Sequence, residues 1–341
     1  MVELRRILCP VDLSDLSIRA LAYANSIAER YRSELTALHV VPTFEPMEVR
    51  AGALFDPVRF VYPMTRAQID ERLRDAMSTA GVAVDRSKVV AEAGEPSEVI
   101  VDQALTTGAD LVVMATHGRT GWNRLMLGSV TEKVLRTAPC PVLTVPPHAR
   151  QSPPETVLKS ILCPVDFSPA AVQAVGLAAD LARRANAAVT YLHVVEWLAE
   201  EEPREAPYFA VQEFRRHLMQ DARERLETVI TKQPRIEGGA VARVAAGRAY
   251  REILQIGSEV EADLIVMGAL GRGGVPLTRL GSTTQQVVRA ASCPVLTVHA
   301  PGRPPRRDRR EELAHKRAGE VAQTRLRSAT WLAVVAVEES A

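Results

Sequence analysis

Short runs of apolar residues recur along the chain, separated by segments whose apolar residues fall at helical spacing. In the first half the runs are 6–11, 35–40, 88–93, 110–115 and 141–145; in the second they are 160–165, 189–194, 240–245, 263–268 and 294–298. Segments 17–30, 66–80, 97–107 and 130–137 carry the three-to-four-residue period of amphipathic helices. The runs are apolar almost throughout instead of alternating, as in strands covered on both faces, and strands separated by helices pair in parallel. Right-handed crossovers then give a doubly wound α/β fold.

The pattern repeats. Residues 7–41 (ILCPVDLSDLSIRALAYANSIAERYRSELTALHVV) align without a gap to 161–195 (ILCPVDFSPAAVQAVGLAADLARRANAAVTYLHVV), an offset of 154 (161 − 7). Residues 114–145 match 267–298 at 153 (267 − 114). A duplication of this length implies two five-stranded α/β domains in tandem, here 1–147 and 159–300, joined by the polar, proline-rich linker 148–158. A 341-residue chain is about twice a typical ~150-residue domain, which agrees. Residues 301–341 fall outside the repeat and read as a basic tail, partly helical or disordered. Arg303, Arg306, Arg307, Arg309 and Arg310 are diluted by acids at 308, 311 and 312, and the apolar end Trp331–Val337 is open to docking on a partner or on the body.

Charge narrows the function classes. With 42 basic and 41 acidic residues the chain lacks the positive field of a dedicated nucleic-acid binder, so a charged ligand must be met locally. Cys9, Cys140, Cys163 and Cys293 form no CxxC pair and no zinc spacing, and read as small buried hydrophobes of a reduced, cytoplasmic protein. Ile7–Val11 is too short for a signal-peptide core, and no run approaches the ~18 apolar residues of a membrane span.

The chemistry lies after the fourth strand of each half. The run 110–115 leads into His117-Gly118-Arg119-Thr120-Gly121, then Leu127-Gly128-Ser129 and the helix 130–137; the run 263–268 leads into Gly271-Arg272-Gly273-Gly274, then Gly281-Ser282 and a second helix. A glycine loop feeding a helix N-terminus presents unpaired N–H groups and the positive end of a dipole, which suits phosphate. Gly128 and Gly281 would allow close backbone approach, and Ser129 and Ser282 would cap the helix and donate a hydroxyl. Neither GxxxxGK[ST] nor GxGxxG with a ribose-binding acid is present, so the Walker and dinucleotide readings fail.

The spacing is Gly268-x2-Gly271-x9-Gly281-Ser282 in the second half and Ala115-x2-Gly118-x9-Gly128-Ser129 in the first. It resembles the G-x2-G-x9-G-[S/T] motif of the ATP-binding branch of the universal stress protein family. The openings ILCPVDLS and ILCPVDFS, and the second strands ending Leu-His-Val, resemble the same family. The resemblance implies an adenine-nucleotide α-hydrolase-like, Rossmann-like fold whose adenosine end is held at Pro10, Asp12, Val40, Met114 and Ala115, and at Pro164, Asp166, Val194, Met267 and Gly268. It places the phosphates on Gly118, Gly128, Ser129 and Val130, and on Gly271, Gly281, Ser282 and Thr283, with Arg119 and Arg272 beside the loop glycines. The implied cofactor is ATP or another adenine nucleotide, with Mg²⁺ or Mn²⁺ held by the phosphates and no protein metal site. Ligands of open α/β sheets also sit beyond the strand C-termini at the switch point, here between the first and fourth strands. Ala115 departs from the motif, putting a methyl where the nucleoside would lie.

Plainer readings stand beside these. Asp12 and Asp166 are ligand contacts or helix N-terminal acids; Arg119 and Arg272 are phosphate partners or solvated charges. His39 and His193, inside apolar strands, are expected as hydrogen-bonded core residues. The last strands, Cys140–Val145 and Cys293–Val298, would be apolar edges in need of cover, so the halves are expected to pair through them about a pseudo-twofold axis, with a homodimer also allowed. The function expected is a nucleotide-binding stress-response regulator without enzymatic turnover, or at most very slow ATP hydrolysis. The alternatives are an interaction module of the same fold that has lost nucleotide, and a related nucleotidyl transferase or pyrophosphatase, whose HIGH-type or SGGxDS-type motifs are absent.

Overall fold

The computed structural model describes residues 4–42, 65–83, 87–117, 127–147, 149, 158–196, 208–271 and 280–300. Residues Met1–Pro301 form one compact unit; the tail beyond it, and most of the expected linker, lie outside the described residues. The first half runs β1 (Arg6–Pro10), α1 (Asp15–Tyr31), β2 (Glu34–Pro42), α2 (Arg66–Thr79), β3 (Ser87–Gly94), α3 (Pro96–Thr107), β4 (Leu111–Ala115), α4 (Ser129–Thr137), β5 (Val142–Val145). The second runs β6 (Ser160–Pro164), α5 (Pro169–Ala185), β7 (Ala188–Val195), α6 (Tyr208–Ile230), β8 (Ala240–Ala246), α7 (Ala249–Glu259), β9 (Leu264–Gly268), α8 (Ser282–Ala290), β10 (Val295–Val298).

All ten strands join in one sheet, in the order β3-β2-β1-β4-β5-β10-β9-β6-β7-β8. Pairing is parallel within each half and antiparallel only between β5 and β10, where the halves meet. The expected edge pairing is therefore formed. Successive strand residues serve opposite faces: Ile7 and Cys9 join the core beneath α1 and α5, whereas Leu8 joins the core beneath α3, α4, α7 and α8. Each core cluster includes residues of both halves, so the seam lies inside continuous apolar layers.

Local signals explain the helix ends. Ser14 and Ser168 cap α1 and α5, accepting from Ser17 N at 3.3 Å and Ala171 N at 3.2 Å. Thr65 and Gln68 form a reciprocal capping box on α2. The expected strands are all present, with shifted ends. Asp110 and Asp263, read as the first residues of the fourth strands, instead stand before them. The Oδ2 of Asp110 accepts Arg5 N and Arg6 N at 2.7 and 2.9 Å; that of Asp263 accepts Lys159 N and Ser160 N at 2.9 and 3.0 Å. Each carboxylate thus ties the start of the first strand to that of the fourth and sets the two strands whose far ends form the switch point.

Candidate functional site

Beyond the C-terminal ends of β6, β7 and β9 the second half encloses a cavity of about 1040 Å³. Pro164 and Asp166 reach it from the end of β6, Val194 from β7, Met267 and Gly268 from β9, Gly271 from the loop, and Gly281, Ser282 and Thr283 from the start of α8. Nine residues singled out by the motif thus line one cavity; the tenth, Arg272, lies outside the described residues. In the first half Pro10, Asp12, Val40, Met114, Ala115, Gly128, Ser129 and Val130 occupy the matching places at the ends of β1, β2 and β4 and the start of α4. Gly118 and Arg119 lie outside the described residues, as does the segment 43–64 that follows β2.

The start of α8 is arranged for an anion. Gln285 N donates to Gly281 O at 2.9 Å, the first intrahelical bond, so the N–H groups of Ser282, Thr283 and Thr284 precede it. The expectation that Ser129 and Ser282 cap their helices is not met: Gly128 and Gly281 occupy the N-cap positions, without a side-chain cap bond, and the serines are the first helical residues. Glycine is favoured there by close contact. A Cβ on Gly281 would lie 3.3 Å from the Ala269 carbonyl oxygen, and one on Gly128 3.3 Å from that of Thr116. Thr284 Oγ1 donates to Gly268 O at 2.9 Å and Thr131 Oγ1 to Ala115 O at 3.0 Å, fastening each helix start to the end of the adjoining strand.

A Cβ on Gly268 would meet Ala170 Cβ and Ala171 N at 3.0 Å, so glycine at 268 answers first to the close packing of α5 on β9. Leu16 and Ser17 replace those alanines in the first repeat, where α1 faces an alanine at 115.

Asp166 stands at the start of α5 and lines the cavity. Its Oδ1 accepts Ser168 N at 2.9 Å, holding the capping serine, while its Oδ2 lies 2.8 Å from where a Cβ on Gly271 would stand. Asp12 likewise accepts Ser14 N at 3.0 Å and Ser14 Oγ at 2.5 Å. His193 Nδ1 lies 2.6 Å from Val165 O and His39 Nδ1 2.7 Å from Val11 O. A carbonyl can only accept, so both Nδ1 atoms carry hydrogen, and both imidazoles fasten the second strand to the chain leaving the first. The expected structural role of these histidines is observed; His193 in addition lines the cavity.

Motif spacing missed the far wall. Leu218, Asp221, Glu224 and Arg225 of α6, Ala249 and Ile253 of α7, and Glu196 after β7 line the cavity. Glu224-Arg225-Leu226 repeats Glu71-Arg72-Leu73 at an offset of 153 (224 − 71), but these residues lie outside the strand and glycine-loop motifs. The carboxylates Asp166, Glu196, Asp221 and Glu224 and the single cation Arg225 make the α6 side acidic among the described residues. The opposite side offers the unpaired N–H groups of α8.

Among the described residues no three His, Cys, Asp or Glu side chains are grouped to hold a metal ion, and no helix is long and apolar enough to cross a membrane. The four cysteines are unpaired. Burial pushes the Cys140 and Cys293 thiols up to about 12, with Asp110 and Asp263 acting in the same sense, and burial raises Cys9 and Cys163 further.

Fold and sheet topology together define a tandem Rossmann-like α/β protein with a cavity at the switch point of its second half. The chain belongs to the universal stress protein family, whose family model matches residues 3–146 and 158–299. It is 29% identical over 310 residues to the universal stress protein Rv2623 of Mycobacterium tuberculosis, covering 85% of this chain and 95% of that one. It is 31% identical over 141 residues to the universal stress protein MJ0531 of Methanocaldococcus jannaschii, covering 41% of this chain and 81% of the relative. Among solved structures, a universal stress protein from Archaeoglobus fulgidus superposes with a TM-score of 0.56 at 21% identity, covering 86% of this chain and 96% of that one. The functionally unknown protein PA1789 of Pseudomonas aeruginosa superposes at 0.58 and 17% identity, covering 87% and 93%. At these identities the solved structures speak for the fold.

Proposed function

We propose that the chain binds an adenine nucleotide and acts as a nucleotide-dependent regulatory module of the stress response. The observation that carries this reading is the convergence of nine motif residues, from four separate stretches of chain, on one cavity that ends at an uncapped helix N-terminus. Its volume is at the upper end of the ~300–1,000 Å³ usual for ligand pockets. Electrostatics orients the ligand. Glu196, Asp221 and Glu224 disfavour phosphate on the α6 side, and the free N–H groups of Ser282 and Thr283 favour it on the other. The adenosine end then falls on Pro164, Asp166 and Val194. A divalent Mg²⁺ or Mn²⁺ travels with the phosphates and offsets their charge. The first half is assigned the same ligand at Pro10, Asp12, Val40, Gly128, Ser129 and Val130, giving up to two nucleotides per chain.

Turnover is expected to be negligible. The glycine-loop motif binds phosphate without bringing an activated nucleophile to it. Isothermal titration with MgATP, together with mass spectrometry of ligand released from purified protein, tests the reading. Saturable binding with one or two sites per chain is expected. Failure to bind MgATP, MgADP or AMP at millimolar concentration would reassign the fold to a nucleotide-free interaction module. A magnesium-dependent hydrolysis of several per second, lost in Asp166→Ala, would make it an enzyme.

A further inference from the structure

Arg225 projects from α6 into the second cavity, and its guanidinium carbon lies 4.4 Å from the centroid of the Phe167 ring. The Phe167 ring also meets the His193 ring at 4.6 Å, tilted by 40°. Phe167 itself does not line the cavity; Arg225 and His193, which cover it, do. The guanidinium carbon therefore lies over the phenyl ring, on a side chain that lines the cavity. Asp221, Glu224, Glu196 and Asp166 all line the same cavity, yet Arg225 makes no ion pair or hydrogen bond to any described residue. Its charge is held by a π face, and its donors and second face are unspent.

The arrangement belongs to one half. Phe167 has φ of 63° and its repeat counterpart Leu13 has φ of 66°, so both halves make the same left-handed turn after the first strand. A bulky residue there costs about 1 kcal/mol or more, and both halves accept it to bring Ser14 and Ser168 onto their helices. Only the second half puts an aromatic ring at that turn.

We propose that Arg225, backed by Phe167, is a specificity-determining residue of the second cavity, stacking its open guanidinium face on the purine base of the bound nucleotide. The inference rests on the adenine-nucleotide reading given above. Guanidinium is planar and weakly hydrated, so it stacks on two π systems at once, which an ammonium cannot do. The base is the partner chosen because Arg225 sits at the Asp166–Phe167 end among carboxylates that repel phosphate. A purine offers a larger face than a pyrimidine, so the stack selects for purines.

The test is calorimetric titration of MgATP and MgCTP into the full chain and into Arg225→Ala, Arg225→Lys and Phe167→Leu. Removing a stacked cation is expected to weaken the second-site affinity for MgATP about fivefold to tenfold, and that for MgCTP less than twofold. Lysine should not restore it, and Phe167→Leu, which copies the first half, should lose part of the same discrimination. Because Arg225 is exposed, thermal unfolding of Arg225→Ala should match the parent. Equal losses for both nucleotides, restored by lysine, would show a point-charge contact to phosphate and overturn the proposal. Unchanged MgATP affinity in Arg225→Ala would overturn it while leaving the nucleotide reading intact. A parent chain that binds no MgATP would sink both.

Discussion

Leu143 and Leu296 stand opposite each other at the centre of the antiparallel β5–β10 seam, both buried in the core layer beneath α1 and α5. Thr144 Oγ1 donates to Val295 O and Thr297 Oγ1 to Val142 O, each at 3.2 Å, so the two sides of the seam repeat each other's bonds. Two short strands that would otherwise be exposed apolar edges become the middle of a ten-stranded sheet.

The seam should therefore resist charge. Val142 and Val295 are 0% and 1% exposed and belong to the opposite core layer. Replacing both with Asp buries two unpaired carboxylates and should remove cooperative unfolding or aggregate the chain, by thermal scan and small-angle scattering. Val172→Asp, at a position 46% exposed, is expected to unfold like the parent. A double variant that stayed compact and equally stable would mean that the halves are held by their helices.

Gly281 tests the phosphate placement. A valine Cβ there presses on Ala269 O at 3.3 Å and Thr284 Oγ1 at 3.4 Å, and its methyls enter the space in front of α8. Second-site MgATP affinity should fall roughly tenfold or more by titration calorimetry. Equal affinity in Gly281→Val and parent would move the phosphates elsewhere.

Tyr191 is fully buried, and its hydroxyl has no hydrogen-bond partner among the described residues. An unpaired buried hydroxyl costs free energy, and burial accordingly drives its ionisation well above the ordinary range. Tyr191→Phe should be neutral or stabilising by up to ~1 kcal/mol in urea unfolding. A loss of more than about 1 kcal/mol would indicate that the hydroxyl is bonded.

Thiol ionisation sets an alkaline limit. The Cys140 and Cys293 thiols go from an ordinary 9.0 to about 12 on folding, so the folded state favours the protonated form. The stability this contributes is complete below about pH 9 and is lost as pH rises toward about 12. At pH 8 the native thiolate population at these two sites should be about a thousandfold below that of the unfolded chain. Thiol labelling should be slow in buffer and complete for four cysteines in denaturant. Rapid native labelling of Cys9 or Cys163 would contradict their complete burial.

Strand positions, helix positions and the duplication were legible in the sequence because each depends on local periodicity, and a local period survives whatever the rest of the chain does. The edge pairing was legible too, since an apolar last strand needs cover. The glycine spacing brought out Gly271, Gly281 and Ser282, but not which of them caps α8. That depends on how closely the loop carbonyl of Ala269 approaches, a distance no spacing encodes. The close packing of α5 on the glycine at 268 was not legible either, since it joins residues about a hundred positions apart. The α6 wall, with Leu218, Asp221, Glu224 and Arg225, was invisible, because which face of a helix overhangs a cavity depends on how it packs on strands tens of residues away. The stack of Arg225 on Phe167 is of the same kind. Each residue taken alone is a surface arginine or an apolar turn residue, and only the docking of α6 against the end of β6 brings the two within 4.4 Å.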